Sequence, residues 1–215
     1  MPQLMEKKKS RGAVTLTFDN NTVVTLRSRD LRHENFQEGA EYDAARIDQL
    51  RYEVELERAD TYLTAKLSRN LCSIGQARQA LKQKGFNAEI SREIVARFKR
   101  AGFLDDGRFA EGFVRAALAN RPAGRAFLQA ALQKKLVAPE VAQAVIDAAF
   151  AETDEVELAV ALLRKRWWRL SQLDLESARQ KGYTFLAQRA IGYQASKEAF
   201  ERLAAEEPSF AEEIR

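Results

Sequence analysis

The chain has 215 residues, 46% of them hydrophobic, a net charge of +4, one cysteine and one histidine. This composition suits one or two folded domains with a real core, and it excludes an intrachain disulfide, a thiolate zinc cluster and any site built on several histidines. No run of about 18 apolar residues and no basic-then-apolar leader occurs, which predicts a cytoplasmic protein without a membrane span.

The charge is arranged in blocks. Residues 30–60 hold ten acids against four bases, residues 66–100 nine bases against two acids, and residues 164–189 seven bases against two acids. A solvated surface attracts a counter-charge within about 10 Å, the Debye length, so the blocks matter more than the sum. The two basic blocks point to a partner that is acidic or carries phosphates.

Residues 1–12, with Lys7-Lys8-Lys9-Ser10-Arg11, read as a disordered basic arm. Val14, Leu16 and Phe18 then alternate with threonines, Asp19-Asn20-Asn21 form a turn, and Val23-Val24-Thr25-Leu26 returns, so residues 13–40 predict a β-hairpin module. A lone hairpin is marginal in water. It must lean on a third strand around Asn35-Phe36 or on the first long helix.

That helix runs from Asp43 to about Asn70, with Ile47, Leu50 and Val54 on one stripe. Ser73 and Gln76 match a capping box that starts a short second helix ending at Gly85. Asn87 caps a third helix with the stripe Ile90, Ile94, Val95 and Phe98, and Gly102 stops it. Residues 43–104 are thus a three-helix unit. The lone Cys72 reads as a small apolar residue near a helix start.

Asp105-Asp106 restart the pattern, and a shift of 51 positions carries Tyr62, Leu67, Leu81, Lys84, Glu89 and Ile94 onto Phe113, Leu118, Leu132, Lys135, Glu140 and Val145. Residues 105–152 are a second three-helix unit. Thr153-Asp154-Glu155 cap the start of a third, residues 153–205, traced through Leu158, Leu162, Leu163, Trp167, Leu170, Leu186, Ile191, Phe200 and Leu203. Its register has two solutions: Leu186 on Leu81 puts Ala190 on Gly85, whereas Gly192-Tyr193 on Gly85-Phe86 breaks the last stripe. An acidic tail, residues 206–215, caps the third unit, meets a basic block or stays disordered. The predicted fold is mainly α, an elongated array of three tandem three-helix repeats behind a small N-terminal β-hairpin. A unit this small cannot close its own core and must stack on a neighbour.

Ser73 with Leu81-Lys82-Gln83-Lys84-Gly85-Phe86, then Gly102-Phe103-Leu104-Asp105-Asp106-Gly107-Arg108-Phe109-Ala110, with Arg115 and Gly124 beyond, resembles the RecX family of bacterial recombination regulators. The hairpin followed by Phe36, Glu38 and Gly39 is similar to the N-terminal extension of some members. The third unit departs from the family pattern at Ala190 and in its acidic tail. The resemblance implies a regulator of recombination, DNA repair and the SOS response that lies along the RecA filament on single-stranded DNA, and a monomer is expected. It further implies that the regulator suppresses strand exchange and ATP hydrolysis, with no catalytic residues and no cofactor.

Charge and exposure together nominate Arg78, Lys82 and Lys84 on the second helix, Arg97, Lys99 and Arg100 on the third, and Lys134 and Lys135 one unit later. Each can meet a carboxylate or a phosphate. Arg164-Lys165-Arg166-Trp167-Trp168-Arg169 mixes bases with indoles, a pattern that grips single strands by stacking. Trp167 lies on the apolar stripe and reads as core, whereas Trp168 is placed for exposure, with packing between units weighed above base stacking. Asp105-Asp106 between a helix stop and a helix start are explained by capping, His33 reads as a surface residue, and no P-loop or dinucleotide fingerprint is present. The alternative to a recombinase regulator is a stand-alone single-stranded nucleic-acid-binding module.

Overall fold

A computed structural model describes residues 1–27, 36–120, 122–151, 153–207 and residue 210. The expected positions of His33, Asn35 and most of the acidic tail lie outside these residues. The described chain is mainly helical and begins with a small antiparallel sheet of order β1-β2-β3, formed by β1 (Leu4–Ser10), β2 (Ala13–Phe18) and β3 (Val23–Arg27). Two compact units form, one from Met1–Asn70 and Ala77–Phe103, the other from Leu71–Gln76 and Leu104–Arg215.

In the first unit the expected disordered arm is a strand, which corrects the reading of residues 1–12 and enlarges the hairpin to three strands. Leu4 pairs with Phe18 and Ser10 with Ala13 across a turn in which Gly12 takes φ 84°. The run of lysines hid two signals, an Arg-Gly turn and a buried Leu4. The Lys7 amine donates to the Phe36 carbonyl (2.6 Å), and the Lys7 amide donates to Glu38 Oε1 (2.7 Å). Phe36 is not in a strand, but it is buried.

Period two places Val14, Leu16, Phe18, Val24 and Leu26 on one face of the sheet, where they bury with Leu4, Phe36 and two residues of α1 (Ala44–Leu67), Ile47 and Leu50. The hairpin therefore leans on both a third strand and the long helix. Burying a large aliphatic or aromatic side chain is worth about 1.5–3 kcal/mol, enough to hold a sheet too small to stand alone.

Asp43 Oδ1 accepts from Ala45 N at 3.1 Å and starts α1, which stops at Leu67, three residues short of the expected Asn70. Ser73 and Gln76 form the reciprocal capping box of α2 (Ile74–Gln83), with bonds of 3.0 and 3.2 Å. Asn87 caps α3 (Ala88–Arg100) through Ile90 N at 2.8 Å.

The second unit holds α4 (Asp106–Asn120), α5 (Arg125–Lys134), α6 (Pro139–Ala151), α7 (Glu155–Arg164), α8 (Trp167–Leu170), α9 (Leu175–Ala187) and α10 (Tyr193–Glu206). Ala110, Val114, Leu128, Leu132, Ala142 and Ile146 form the core of α4–α6. A second core joins Leu162, Leu163, Leu186, Phe200 and Leu203 from α7, α9 and α10 with Ile191 from the turn between the last two. Glu206 is the last residue of α10 and Phe210 is buried against Trp167, so the start of the expected tail is packed.

Candidate functional site

The turns that follow α2, α5 and α9 are built the same way. Gly85, Leu136 and Ala190 take φ values of 86°, 59° and 57°. Their amides donate three residues back, and the amides of Phe86, Val137 and Ile191 donate five back, to Leu81, Leu132 and Leu186 at 3.2 Å each. These are Schellman caps. They select the register that puts Ala190 on Gly85, a choice the sequence left open because only the first of the three is glycine.

Two of these turns are docking points inside the second unit. Ser73 Oγ donates to the Lys135 carbonyl at 2.5 Å, and a Cβ on Gly75 would lie 2.4 Å from the Leu136 oxygen. Gly124 N donates to the Arg189 carbonyl at 2.7 Å, and a Cβ there would lie 2.0 Å from the Ala190 oxygen. In both places a helix start seats on the next left-handed turn, and glycine is needed because backbone meets backbone. The adjacent aspartates work as caps on two different helices. Asp105 Oδ1 accepts from Gly107 N (2.8 Å) and Arg108 N (3.1 Å), while Asp106 Oδ1 reaches Ile74 N of α2 at 2.8 Å.

The predicted contact residues of the first unit are all exposed. Arg78 and Lys82 share one face of α2, four residues apart. Lys84 lies 5.7 Å from the Tyr62 ring centroid. Arg97, Lys99 and Arg100 complement the negative end of α3, although Arg97 is drawn to Asp60 at 3.4 Å. Beside that ion pair, Thr64, Leu67, Phe98 and Phe103 line a largely apolar groove of about 550 Å³. In the second unit Lys134 and Lys135 are exposed at the end of α5, and Lys135 uses its carbonyl rather than its amine to hold Ser73.

The segment 164–169 separates into structural and exposed members. Arg164 pairs with Glu206 at 3.2 Å, and Lys165 is exposed. Trp167 packs edge-on against Phe200 and Phe210 and donates its indole N–H to Glu207 at 3.2 Å. Trp168 is 65% exposed, so it does not fill a junction between repeats, and the Arg169 guanidinium lies 4.8 Å from its ring. Arg166 and Arg169 line a groove of about 370 Å³ with Leu170, Leu173, Lys181 and Phe185. Arg166 and Arg189 hold their guanidinium carbons 4.2 and 3.9 Å from the Phe185 centroid. Burial, and then the neighbouring Arg166, hold Arg189 below the usual arginine range. Lys181, Phe185 and Arg189 were not among the contact residues expected from sequence. The basic block contained two of them, but only the turn through α8 brings them to Arg166.

Among the described residues no cluster of three or more His, Cys, Asp or Glu side chains is placed to hold a metal, and no helix is long and apolar enough to cross a membrane. Residues 105–146, which span α4, α5 and the first part of α6, match the family model described as RecX, second three-helix domain. A regulatory protein RecX of Amycolatopsis mediterranei is 33% identical over 135 residues, covering 61% of this chain and 77% of that protein. The chain belongs to the RecX family.

The RecX regulatory protein of Treponema pallidum is 34% identical over 99 residues, 46% of this chain and 60% of that one. A crystal structure of regulatory protein RecX superposes with a TM-score of 0.67 at 17% identity, covering 94% of this chain and all of that one. RecX from Lactobacillus salivarius gives 0.65 at 20% identity over 70% of this chain and 97% of that one. At such identities the RecX structures establish the shared fold, and the named relatives are regulatory proteins.

Proposed function

We propose that this chain is a cytoplasmic regulator that binds the RecA recombinase filament and lowers its ATP hydrolysis and strand exchange. Membership of the RecX family carries this reading. The surface is consistent with it: Arg78, Lys82 and Arg100 stand exposed on short helices whose apolar faces are already buried, and Lys84 is exposed just past the end of α2, so their charge is available to an acidic partner. Inhibition then follows from occupancy. A regulator that prefers one filament state shifts the filament towards it by no more than its difference in affinity for the two.

The test is a titration of DNA-dependent ATP hydrolysis by the host's RecA. Substoichiometric protein is expected to lower the rate, and reversing charge at Lys82 and Lys84 to glutamate is expected to weaken the effect. An undiminished rate at saturating protein refutes the reading.

A further inference from the structure

The arginines of the third repeat fall into two groups. Arg164, Arg179 and Arg202 each reach a carboxylate, Glu206 at 3.2 Å, Glu176 at 3.3 Å and Glu157 at 2.7 Å. Arg166, Arg169 and Arg189, with Lys181, make no ion pair among the described residues, yet they gather around one ring and one groove. Asp174 is the acid whose charge Lys181 feels, and its side chain is engaged in capping α9 through Ser177 N at 2.9 Å.

Two guanidinium groups stacked against Phe185 are oriented before any ligand arrives, and Arg189 is further pinned by a bond of 3.3 Å to the Phe185 carbonyl. Like charges gathered without an ion pair favour an anion from outside. Planar guanidinium forks with an ammonium beside them match a phosphate, which accepts bidentate bonds. At the rim, Trp168 offers an exposed indole already stacked on Arg169. Phosphate-binding cations beside a bare aromatic face form the pair of contacts by which a single strand is held, since its bases are free to stack.

We propose that the groove between α8 and α9 seats a backbone phosphate of a single-stranded nucleic acid, with Arg166, Arg169 and Lys181 as its ligands and Trp168 stacking on an adjacent base. Arg189 is a positioning residue, acting through Phe185 and Arg166. The groove contacts the strand directly, so this inference does not need the recombinase.

The experiment uses the full chain without recombinase and a fluorescein-labelled oligothymidylate, with anisotropy followed over a series of salt concentrations. Affinity is expected to fall as salt rises, and Arg169→Gln or Lys181→Gln should each flatten the log–log salt slope by about one. Trp168→Ala should weaken binding roughly 5- to 150-fold, the range of one stacked base. Arg179→Gln removes the same charge from α9 at a carboxylate-paired position and should change neither quantity. The proposal is overturned if Arg179→Gln weakens binding as much as Lys181→Gln, or if Trp168→Ala binds like the parent. It is equally overturned if polyglutamate displaces the strand as well as unlabelled oligothymidylate does, which would make the groove a carboxylate site, or if inorganic phosphate alone displaces it at comparable phosphate concentration. Urea midpoints of the variants separate lost binding from lost folding. Because recombinase is absent, these outcomes are independent of the ATPase titration.

Discussion

Gly124→Ala tests the junction between the second and third repeats most sharply. Gly124 has φ −75° and ψ 173°, values any residue adopts, so an alanine there is not strained by its own backbone. The cost comes from contact. Its Cβ would lie 2.0 Å from the Ala190 oxygen, 2.6 Å from the Ala190 carbonyl carbon and 3.1 Å from Ile191 N, all backbone atoms that no rotamer change can remove. The α5 start must back away, and the bond of 2.7 Å from Gly124 N to Arg189 O lengthens with it. Overpacking costs about 1–3 kcal/mol and a lost hydrogen bond about 0.5–1.5 kcal/mol, so a loss of about 2–4 kcal/mol is expected.

Gly112→Ala is the matched control. This residue lies inside α4, exposed, and a Cβ there would meet nothing within 4 Å. Alanine is the better helix former and should stabilise by about 0.4–1 kcal/mol. Urea denaturation followed by tryptophan fluorescence reads the right region, because both tryptophans lie in the second unit. A Gly124→Ala variant as stable as the parent refutes the close approach at this junction.

Ala190→Gly should raise the urea midpoint, since an alanine at φ 57° carries about 1 kcal/mol of left-handed strain that glycine does not; a lower midpoint contradicts the turn geometry. Asp106→Ala should destabilise by about 1 kcal/mol through the uncapped Ile74 amide, and hydrogen exchange at that amide should speed up while Gly107, held by Asp105, stays protected. Asp174 is held below its ordinary value of 3.8, first by the Ser177 backbone N–H, so its contribution to stability is present above that value and is lost as pH falls through the lowered one. Relative to Asp174→Asn, the parent should therefore lose stability as pH falls below 3.8, and parallel denaturation profiles would contradict this.

Local punctuation was readable in the chain because it depends on neighbours in sequence. The Ser73-Gln76 box, the Asn87 cap and the left-handed Gly85 and Gly102 all rest on bonds within a few residues. The strand β1 was not readable, because seven residues rich in lysine show no apolar alternation, and pairing with β2 and bonds to residues 36–40 hold them extended. Leu136 was not legible as a left-handed turn and Ala190 only as one of two registers, because neither is a residue that favours positive φ; in the fold a glycine start packs against each of these turns.

The candidate groove divides along the same line. Arg166, Trp168 and Arg169 are neighbours in sequence and announce themselves, whereas Lys181, Phe185 and Arg189 join them only when α9 folds back on α8. Sequence by itself determined where helices start and stop, which faces are apolar and that the plan repeats, since these follow from periodicity and capping over short range. The structure alone decided the register of the third repeat, through a left-handed alanine that local preference disfavours, and the tertiary fold alone decided the glycine contacts and which cations lack a carboxylate, because these depend on atoms brought together across tens of residues.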